Sequence, residues 1–231
     1  FCLGMRIAEI FYSIQGEGML AGTPSAFIRV SGCNLRCVWC DTPYASWTPE
    51  GEELAIEEML AWVLRFRAHY TVVTGGEPMI APEIVPLTQA LRQIGQHITI
   101  ETAGTVFAPV ECHLMSISPK LSNSTPFERD SGRWVDLHER LRIQPAVLRR
   151  LMEAYEYQLK FVVQQEEDLP EIRELVERLH ANPQRVVLMP EGTDPAVLRE
   201  RALWVVEACK AHGYRYSPRL HIELYGNRRG V

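Results

Sequence analysis

Three cysteines stand within eight residues, Cys33-Asn34-Leu35-Arg36-Cys37-Val38-Trp39-Cys40. Thiolates are soft ligands suited to zinc or iron–sulfur clusters, and three on one short loop can wrap a compact metal centre. Three ligands leave one position open. A structural zinc asks for a fourth protein ligand, yet the adjoining segments carry no histidine, the nearest being His69. A four-iron cluster held by three cysteines leaves one iron able to take an exchangeable ligand, which suits catalysis better than electron storage. Three buried apolar cysteines, or a fragment of a zinc ribbon, are the alternatives.

The rest of the chain must position that loop. With 231 residues, 46% of them hydrophobic, it can bury a core without a disulfide framework. A formal net charge of -5 gives no general basic field for nucleic acid, and no apolar run approaches the roughly 18 residues of a membrane span. Six cysteines can pair in an oxidising compartment, but no charged-then-apolar leader precedes them and three share one loop, so a reducing cytoplasm is expected. Residues 1–4 precede Met5 and read as an upstream extension, which gives Cys2 little weight. Cys112 and Cys209 read as structural, the latter in register with Leu198, Ala202 and Val205.

Apolar spacing and Gly/Pro punctuation predict strands at residues 6–14, 26–30, 70–73, 97–100, 114–117, 158–163, 185–188 and 220–225. Helices are predicted at 56–66, along the stripe Ile84, Leu87, Leu91, Ile94, and at 172–179 and 197–209. Residues 121–144 are polar and aperiodic, and read as a surface loop with at most a short helix at 137–141. This alternation implies right-handed crossovers and a parallel α/β sheet, either doubly wound or curled as a barrel, and one domain over 1–231 is the simpler reading of the length. A complete eightfold barrel takes about 250 residues, so a barrel of this length would be shortened and partial. Functional residues then gather at strand C-terminal ends. Gly75-Gly76-Glu77-Pro78, Glu101-Thr102-Ala103-Gly104 and Ser118-Pro119-Lys120 each follow a predicted strand directly.

The cysteine loop, with an aromatic residue before its third Cys, together with the Gly-Gly-Glu-Pro run after a strand, resembles the radical S-adenosylmethionine superfamily. Further runs narrow the resemblance: Phe11-Tyr12-Ser13-Ile14-Gln15-Gly16-Glu17-Gly18, Phe27-Ile28-Arg29, Cys40-Asp41-Thr42, Glu101-Thr102-Ala103-Gly104-Thr105, Ser118-Pro119-Lys120 and Gly226-Asn227-Arg228-Arg229-Gly230-Val231. These are similar to the 7-carboxy-7-deazaguanine synthase family. The likeness covers nearly the whole chain and is weakest over 121–144. It implies a TIM-like partial barrel carrying a 4Fe-4S cluster and using S-adenosylmethionine and Mg2+. It further implies a lyase that contracts the ring of 6-carboxy-5,6,7,8-tetrahydropterin to 7-carboxy-7-deazaguanine, releasing ammonia, in queuosine and deazapurine biosynthesis. A flavodoxin or ferredoxin as electron donor, and a homodimer, follow from the same likeness. Membrane and nucleic-acid partners do not.

On this reading Cys33, Cys37 and Cys40 hold the cluster and Thr42 is the magnesium position. S-adenosylmethionine falls to Gly75 and Gly76, whose missing Cβ lets backbone approach its amino acid moiety, and to Glu77, which can accept from its ammonium. Glu101 and Ser118 are expected at its ribose or amino group, with Pro119 and Lys120 alongside and Trp39 near the adenine. Ile14, Gln15, Gly16 and Glu17 match the donor and acceptor edge of a pterin. Arg29 offers a bidentate fork to a carboxylate, which lysine could not reproduce. Thr74 and His221 complete the substrate set, and the Val231 carboxylate is expected to reach it. Ordinary roles compete: a turn at Gly75-Gly76 or at 15–18, an exposed strand cation at Arg29, a core ring at Trp39 or His221, a cap at Asp41. The pairs Arg149-Arg150 and Arg228-Arg229 read as solvated faces. Ala103 departs from the family pattern, where Asn is frequent, which leaves the contacts around Glu101 open.

A glycyl-radical activating enzyme would share the cysteine and glycine motifs but not the Gln15–Arg29 set. A non-catalytic thiol module would bind zinc. Protein prepared anaerobically should contain iron and sulfide and absorb in the visible. A colourless protein with zinc in their place would contradict the cluster.

Overall fold

The computed structural model describes residues 4–231, so Cys2 and most of the expected extension lie outside the described residues. Gly4, assigned to that extension from sequence, is already the first residue of a strand. In chain order the elements are β1 (Gly4–Ile14), β2 (Pro24–Val30), α1 (Pro43–Ser46), β3 (Glu52–Ala55), α2 (Ile56–Phe66), β4 (Tyr70–Gly75), α3 (Ile84–Gln93), β5 (His97–Thr102), β6 (Leu114–Ile117), α4 (Val135–Arg142), α5 (Pro145–Ala154), β7 (Tyr157–Val163), α6 (Leu169–Leu179), β8 (Val186–Pro190), α7 (Pro195–His212), β9 (Arg215–Tyr216) and α8 (Leu220–Tyr225).

All nine described strands join one open sheet in the order β3-β1-β2-β4-β5-β6-β7-β8-β9. β1 is antiparallel to both β2 and β3, and every pairing from β2 to β9 is parallel. The architecture is therefore the expected partial barrel, opened by an antiparallel pair. Parallel strands covered by helices are buried on both faces: each residue of β7 and of β8 is buried. Ile28, Val73, Ile100, Ile117, Leu159, Phe161 and Leu188 share the core with Met59, Leu87, Leu91, Leu151, Ile172 and Val205 from the helices.

The helices begin and end where local chemistry directs. At the start of α2 the Glu58 carboxylate accepts from the Ala55 amide at 2.8 Å, and Arg67 closes the helix at φ 54. At α7 Asp194 accepts from the Ala196 amide at 2.8 Å, Pro195 begins the helix, and Gly213 ends it at φ 69.

Two expectations fail. Residues 220–225 form a helix, not a strand: the Leu220 amide bonds to the Gly16 carbonyl at 2.9 Å instead of joining a ladder, and the turn closes with Gly226 N–H to the Ile222 carbonyl at 2.9 Å. The short helix expected at 137–141 is present as α4, but residues 121–144 are not otherwise a simple surface loop. Ser124, Thr125 and His138 are buried, and the segment contains short 3-10 turns at Ser122–Ser124 and Arg129–Gly132 before α4. Helix α5 was absent from the sequence reading, although Pro145 at its start and the spacing of Val147, Leu148, Leu151 and Met152 signal it. Among the described residues no helix is long and apolar enough to cross a membrane.

Candidate active site

The start of the cysteine loop is fastened to the end of β4. Gly76 N–H donates to the Val30 carbonyl at 3.0 Å, Glu77 N–H to Gly32 at 2.9 Å, and Gly32 N–H to Ala45 at 2.8 Å. A Cβ on Gly75, which has φ +141, would lie 2.1 Å from the Val30 oxygen, and one on Gly76 only 2.0 Å from the Gly32 oxygen. The glycines are thus required by backbone packing against backbone. Where a Cβ would stand there is backbone of β2 and the Cys loop, and both glycines also line the cavity. Glu77 likewise stands behind the wall and is fully buried. Its Oε1 accepts from Thr102 Oγ1 at 2.7 Å and the Met79 amide at 3.1 Å, and its Oε2 from the Ala103 amide at 2.8 Å. Burial raises its carboxyl above the ordinary value, with those three hydrogen bonds opposing. It ties the ends of β4 and β5 together and does not line the cavity.

In front of this clasp lies a cavity of about 460 Å³. Its wall contains Ile14, Gln15, Gly16, Glu17, Arg29, Cys33, Cys37, Trp39, Cys40, Thr42, Thr74, Gly75, Gly76, Glu101, Ser118, Lys120 and His221. Of the residues expected from sequence, only Glu77 and Pro119 are outside it. Asp41, Arg228, Arg229 and Val231 also reach it.

One polar face of the sheet runs beneath the cavity and reaches it at Arg29, Thr74, Glu101 and Lys160. Arg29 pairs with Thr74 in register, Glu101 with Ser116, and Ser116 with Gln158. Alternate residues share a face, so Lys160 follows Gln158 onto the same side. Thr74 Oγ1 donates to Glu101 Oε2 at 2.8 Å and Gln15 Nε2 to Glu101 Oε1 at 3.0 Å, which fixes the Glu101 carboxylate. Lys120 Nζ donates to the Ser118 carbonyl at 2.9 Å and to Ser118 Oγ at 2.8 Å, and lies 5.9 Å from the Trp39 ring.

Glu17 is clamped by Lys160 and by Arg219, whose Nε is 3.1 Å from Glu17 Oε1. Arg219 also pairs with Asp41 and donates to the Gly192 carbonyl at 2.7 Å. Burial alone would raise both carboxyls, but the facing cations outweigh it and hold Glu17 and Asp41 below the ordinary range. Burial lowers His221, against the pull of Glu17, which favours a neutral ring. That ring packs so closely on Gly16 that a Cβ there would lie 1.9 Å from Nδ1. Lys160, Gln158 and Arg219 were not recognised from sequence. The first two carried a signal, since they are alternate polar residues in the otherwise apolar strand Tyr157–Val163. Arg219 had none, because it lies beyond the expected strand pattern and finds its partners only through the fold.

Residues 27–119 match the radical SAM superfamily. The chain is 47% identical to the 7-carboxy-7-deazaguanine synthase of Rhodopirellula baltica, over 98% of this chain and 89% of that protein. It is 43% identical to that of Halobacterium salinarum, over 96% and 91% respectively. The crystal structure of QueE from Escherichia coli superposes with a TM-score of 0.71 at 26% identity, covering 94% of this chain and 95% of that one. The chain belongs to the 7-carboxy-7-deazaguanine synthase family.

Membership of the radical SAM superfamily brings a 4Fe-4S cluster and S-adenosylmethionine, and the thiol set of this synthase-family chain fits the cluster. Cys33, Cys37 and Cys40 line one cavity, with no fourth cysteine in its wall among the described residues. Each outer sulfur has a polar neighbour suited to a thiolate: the Leu35 amide donates to Cys33 Sγ at 3.4 Å, and Ser46 Oγ lies 3.1 Å from Cys40 Sγ. Burial pushes the Cys33 and Cys37 thiols up to about 12, so their thiolate form calls for a cation such as iron. The loop is braced from outside by residues 122–138: Val38 N–H donates to the Ser124 carbonyl at 2.8 Å, Trp39 Nε1 to Asn123 at 3.1 Å, and Arg36 N–H to His138 Nδ1 at 3.1 Å.

Two outcomes follow from this geometry. Gly76→Ala should lose cluster retention and thermal stability together, because the new methyl meets backbone that cannot yield. A variant with unchanged melting temperature and iron content would contradict the clasp. Glu17→Gln should cost about 3–5 kcal/mol at pH 7 by stranding buried cations. The pKa of Glu17 is depressed in the fold, so its contribution is present above about pH 4.3, the ordinary Glu value, and is lost as pH falls through the depressed value. The gap between variant and wild type, measured by urea unfolding, should therefore narrow with acidification. A gap independent of pH would contradict it.

Proposed function

We propose that this protein is a 7-carboxy-7-deazaguanine synthase that converts 6-carboxy-5,6,7,8-tetrahydropterin to 7-carboxy-7-deazaguanine with release of ammonia. The observation that carries the substrate reading is the state of Arg29. Its Nε donates to Glu9 Oε1 at 2.6 Å, while its two terminal nitrogens have no hydrogen-bond partner among the described residues and border the cavity. A guanidinium held at Nε presents its terminal edge as a fork, which matches a carboxylate.

When bound, the cluster and S-adenosylmethionine supply a carbon-centred radical able to remove hydrogen from an unactivated position. The chain's own residues bind, orient and exclude water. Arg29 grips the substrate carboxylate. Glu101, fixed by Gln15 and Thr74, accepts from N–H groups on the heterocycle edge. Both oxygens of Glu17 are engaged by Lys160 and Arg219, so Glu17 acts chiefly by keeping those cations in place beneath the ring. Ser118 and Lys120 serve the cofactor's carboxylate end. Thr42 Oγ1 lies 3.8 Å from Cys40 Sγ, and with substrate oxygens and water it offers Mg2+ the hard ligands that ion prefers. We further infer one functional domain working in the cytoplasm as a homodimer, reduced by a flavodoxin or ferredoxin.

Arg29→Ala should keep its iron content and still cleave S-adenosylmethionine without substrate, while turnover of the carboxytetrahydropterin falls by about two orders of magnitude or more. Loss of the cluster would show that Arg29 serves the metal loop instead. Wild-type protein that forms neither ammonia nor deazaguanine with a fully loaded, reduced cluster would refute the assignment.

A further inference from the structure

The sheet runs from β3 and β1 at one end to β8 and β9 at the other, and among the described strands β1 pairs only with β2 and β3. The two ends nevertheless meet beyond the strand tips. The Leu220 amide donates to the Gly16 carbonyl at 2.9 Å, the Gly18 amide to Ser217 Oγ at 2.7 Å, and the Met19 amide to Gln158 Oε1 at 2.8 Å. The residues after β1 are thus fastened to β7 and to the segment leading into α8. Arg219 sits in this seam with a side chain only 7% exposed. Each of its three guanidinium nitrogens has a different acceptor. Nε donates to Glu17 Oε1 at 3.1 Å, one terminal nitrogen to the Gly192 carbonyl at 2.7 Å, and the other to Asp41 Oδ2. Burial works against its charge, but Asp41 and Glu17 outweigh burial and raise its pKa.

The bond to Asp41 leaves the seam and enters the cysteine loop. Asp41 stands between Cys40 and Thr42, whereas Glu17 belongs to the run expected to face the substrate. Among the described residues no direct hydrogen bond joins residues 40–42 to residues 14–19, and Arg219 bonds to both. One flat, rigid group therefore sets the spacing between the cluster-holding turn and the substrate-reading turn. A lysine would carry the same charge, but its single nitrogen cannot span three acceptors on three segments. Hydrogen transfer needs close alignment of the reacting atoms, and a displacement of about 1 Å imposed from a distance can cost about a hundredfold in rate. We propose that Arg219 is a positioning residue that holds the Cys40–Thr42 turn in register with the Glu17 turn, and that this register sets how much cofactor cleavage is coupled to product. This rests on the cofactor and substrate reading proposed above.

The test compares wild type, Arg219→Lys, Asp41→Asn and the double variant as the full chain, prepared anaerobically with iron quantified. Turnover per loaded cluster is measured together with the 5'-deoxyadenosine released per deazaguanine formed. Arg219→Lys should lower kcat per cluster by about a hundredfold and raise that ratio about tenfold. Asp41→Asn weakens the same tie from its other end and should move the ratio in the same direction. Combining the two should add little to Arg219→Lys alone, as for residues that act as a unit. A strut serving stability alone would lower cluster content and turnover together and leave the ratio unchanged. Hydrogen exchange of the cluster-free protein reads the register without any cofactor: in Arg219→Lys the amides of residues 16–19 and 40–42 should exchange faster together. A wild-type ratio in the loaded variants, independent effects of the two substitutions, faster exchange in one segment alone, or failure of both single variants to hold a cluster overturns the inference, while wild-type turnover leaves the substrate reading standing. Wild-type protein that forms no deazaguanine with a loaded, reduced cluster overturns both.

Discussion

The site depends on one close approach of backbone to backbone. Val30 at the end of β2 and Gly32 at the start of the cysteine loop are held against Gly76 and Glu77 by hydrogen bonds of 3.0 and 2.9 Å, and Gly32 is tied to Ala45 in α1 by a third of 2.8 Å. Only residues without a Cβ permit that separation. The contact fixes the three thiols relative to the C-terminal ends of β4 and β5. Glu77 extends the fixation sideways, since its buried carboxylate accepts from Thr102 and Ala103 on β5. The Gly-Gly-Glu run therefore pins the cavity wall in place, and Gly75 and Gly76 themselves line the cavity.

From that fixed edge, the parallel sheet distributes chemistry by parity. Its outer face is aliphatic and packs under the helices. Its inner face carries Arg29, Thr74, Glu101, Ser116 and Gln158 in adjacent register. So many buried polar groups are tolerable only if they satisfy one another. They do so through Gln15, Thr74 and Glu101 on one side and through Glu17, Lys160, Arg219 and Asp41 on the other. The result is a preorganised surface whose charges are held before any ligand arrives, which is the condition for aiming a reactive intermediate at one atom.

Much of this was readable in the sequence, for identifiable reasons. Parallel strands such as Leu114–Ile117 and helices such as Ile56–Phe66 carry strong periodicity and clear punctuation, and their bounds agree with the structure. The cysteine loop and the polar runs after strands are local patterns, and they converge on one cavity. What was hidden depends on contacts distant in sequence. The bonding of Leu220 to Gly16 makes residues 220–225 a helix. Burial of Ser124 and His138 under the cysteine loop turns a polar stretch into a brace. Arg219 acquires meaning only from Glu17 and Asp41, which lie 202 and 178 residues away. Gly75 and Glu77 were recognised as a motif, while the protein groups that hold them lie on other strands and leave no local pattern.

The central claim is that three thiols and an anion-gripping polar floor share one cavity with an open coordination position. Electron paramagnetic resonance of the anaerobically reduced protein, recorded before and after S-adenosylmethionine is added and again with the carboxytetrahydropterin, tests it most directly. The expected result is a reduced 4Fe-4S signal that changes on addition of S-adenosylmethionine and changes again with the pterin. A cluster spectrum indifferent to both would contradict it.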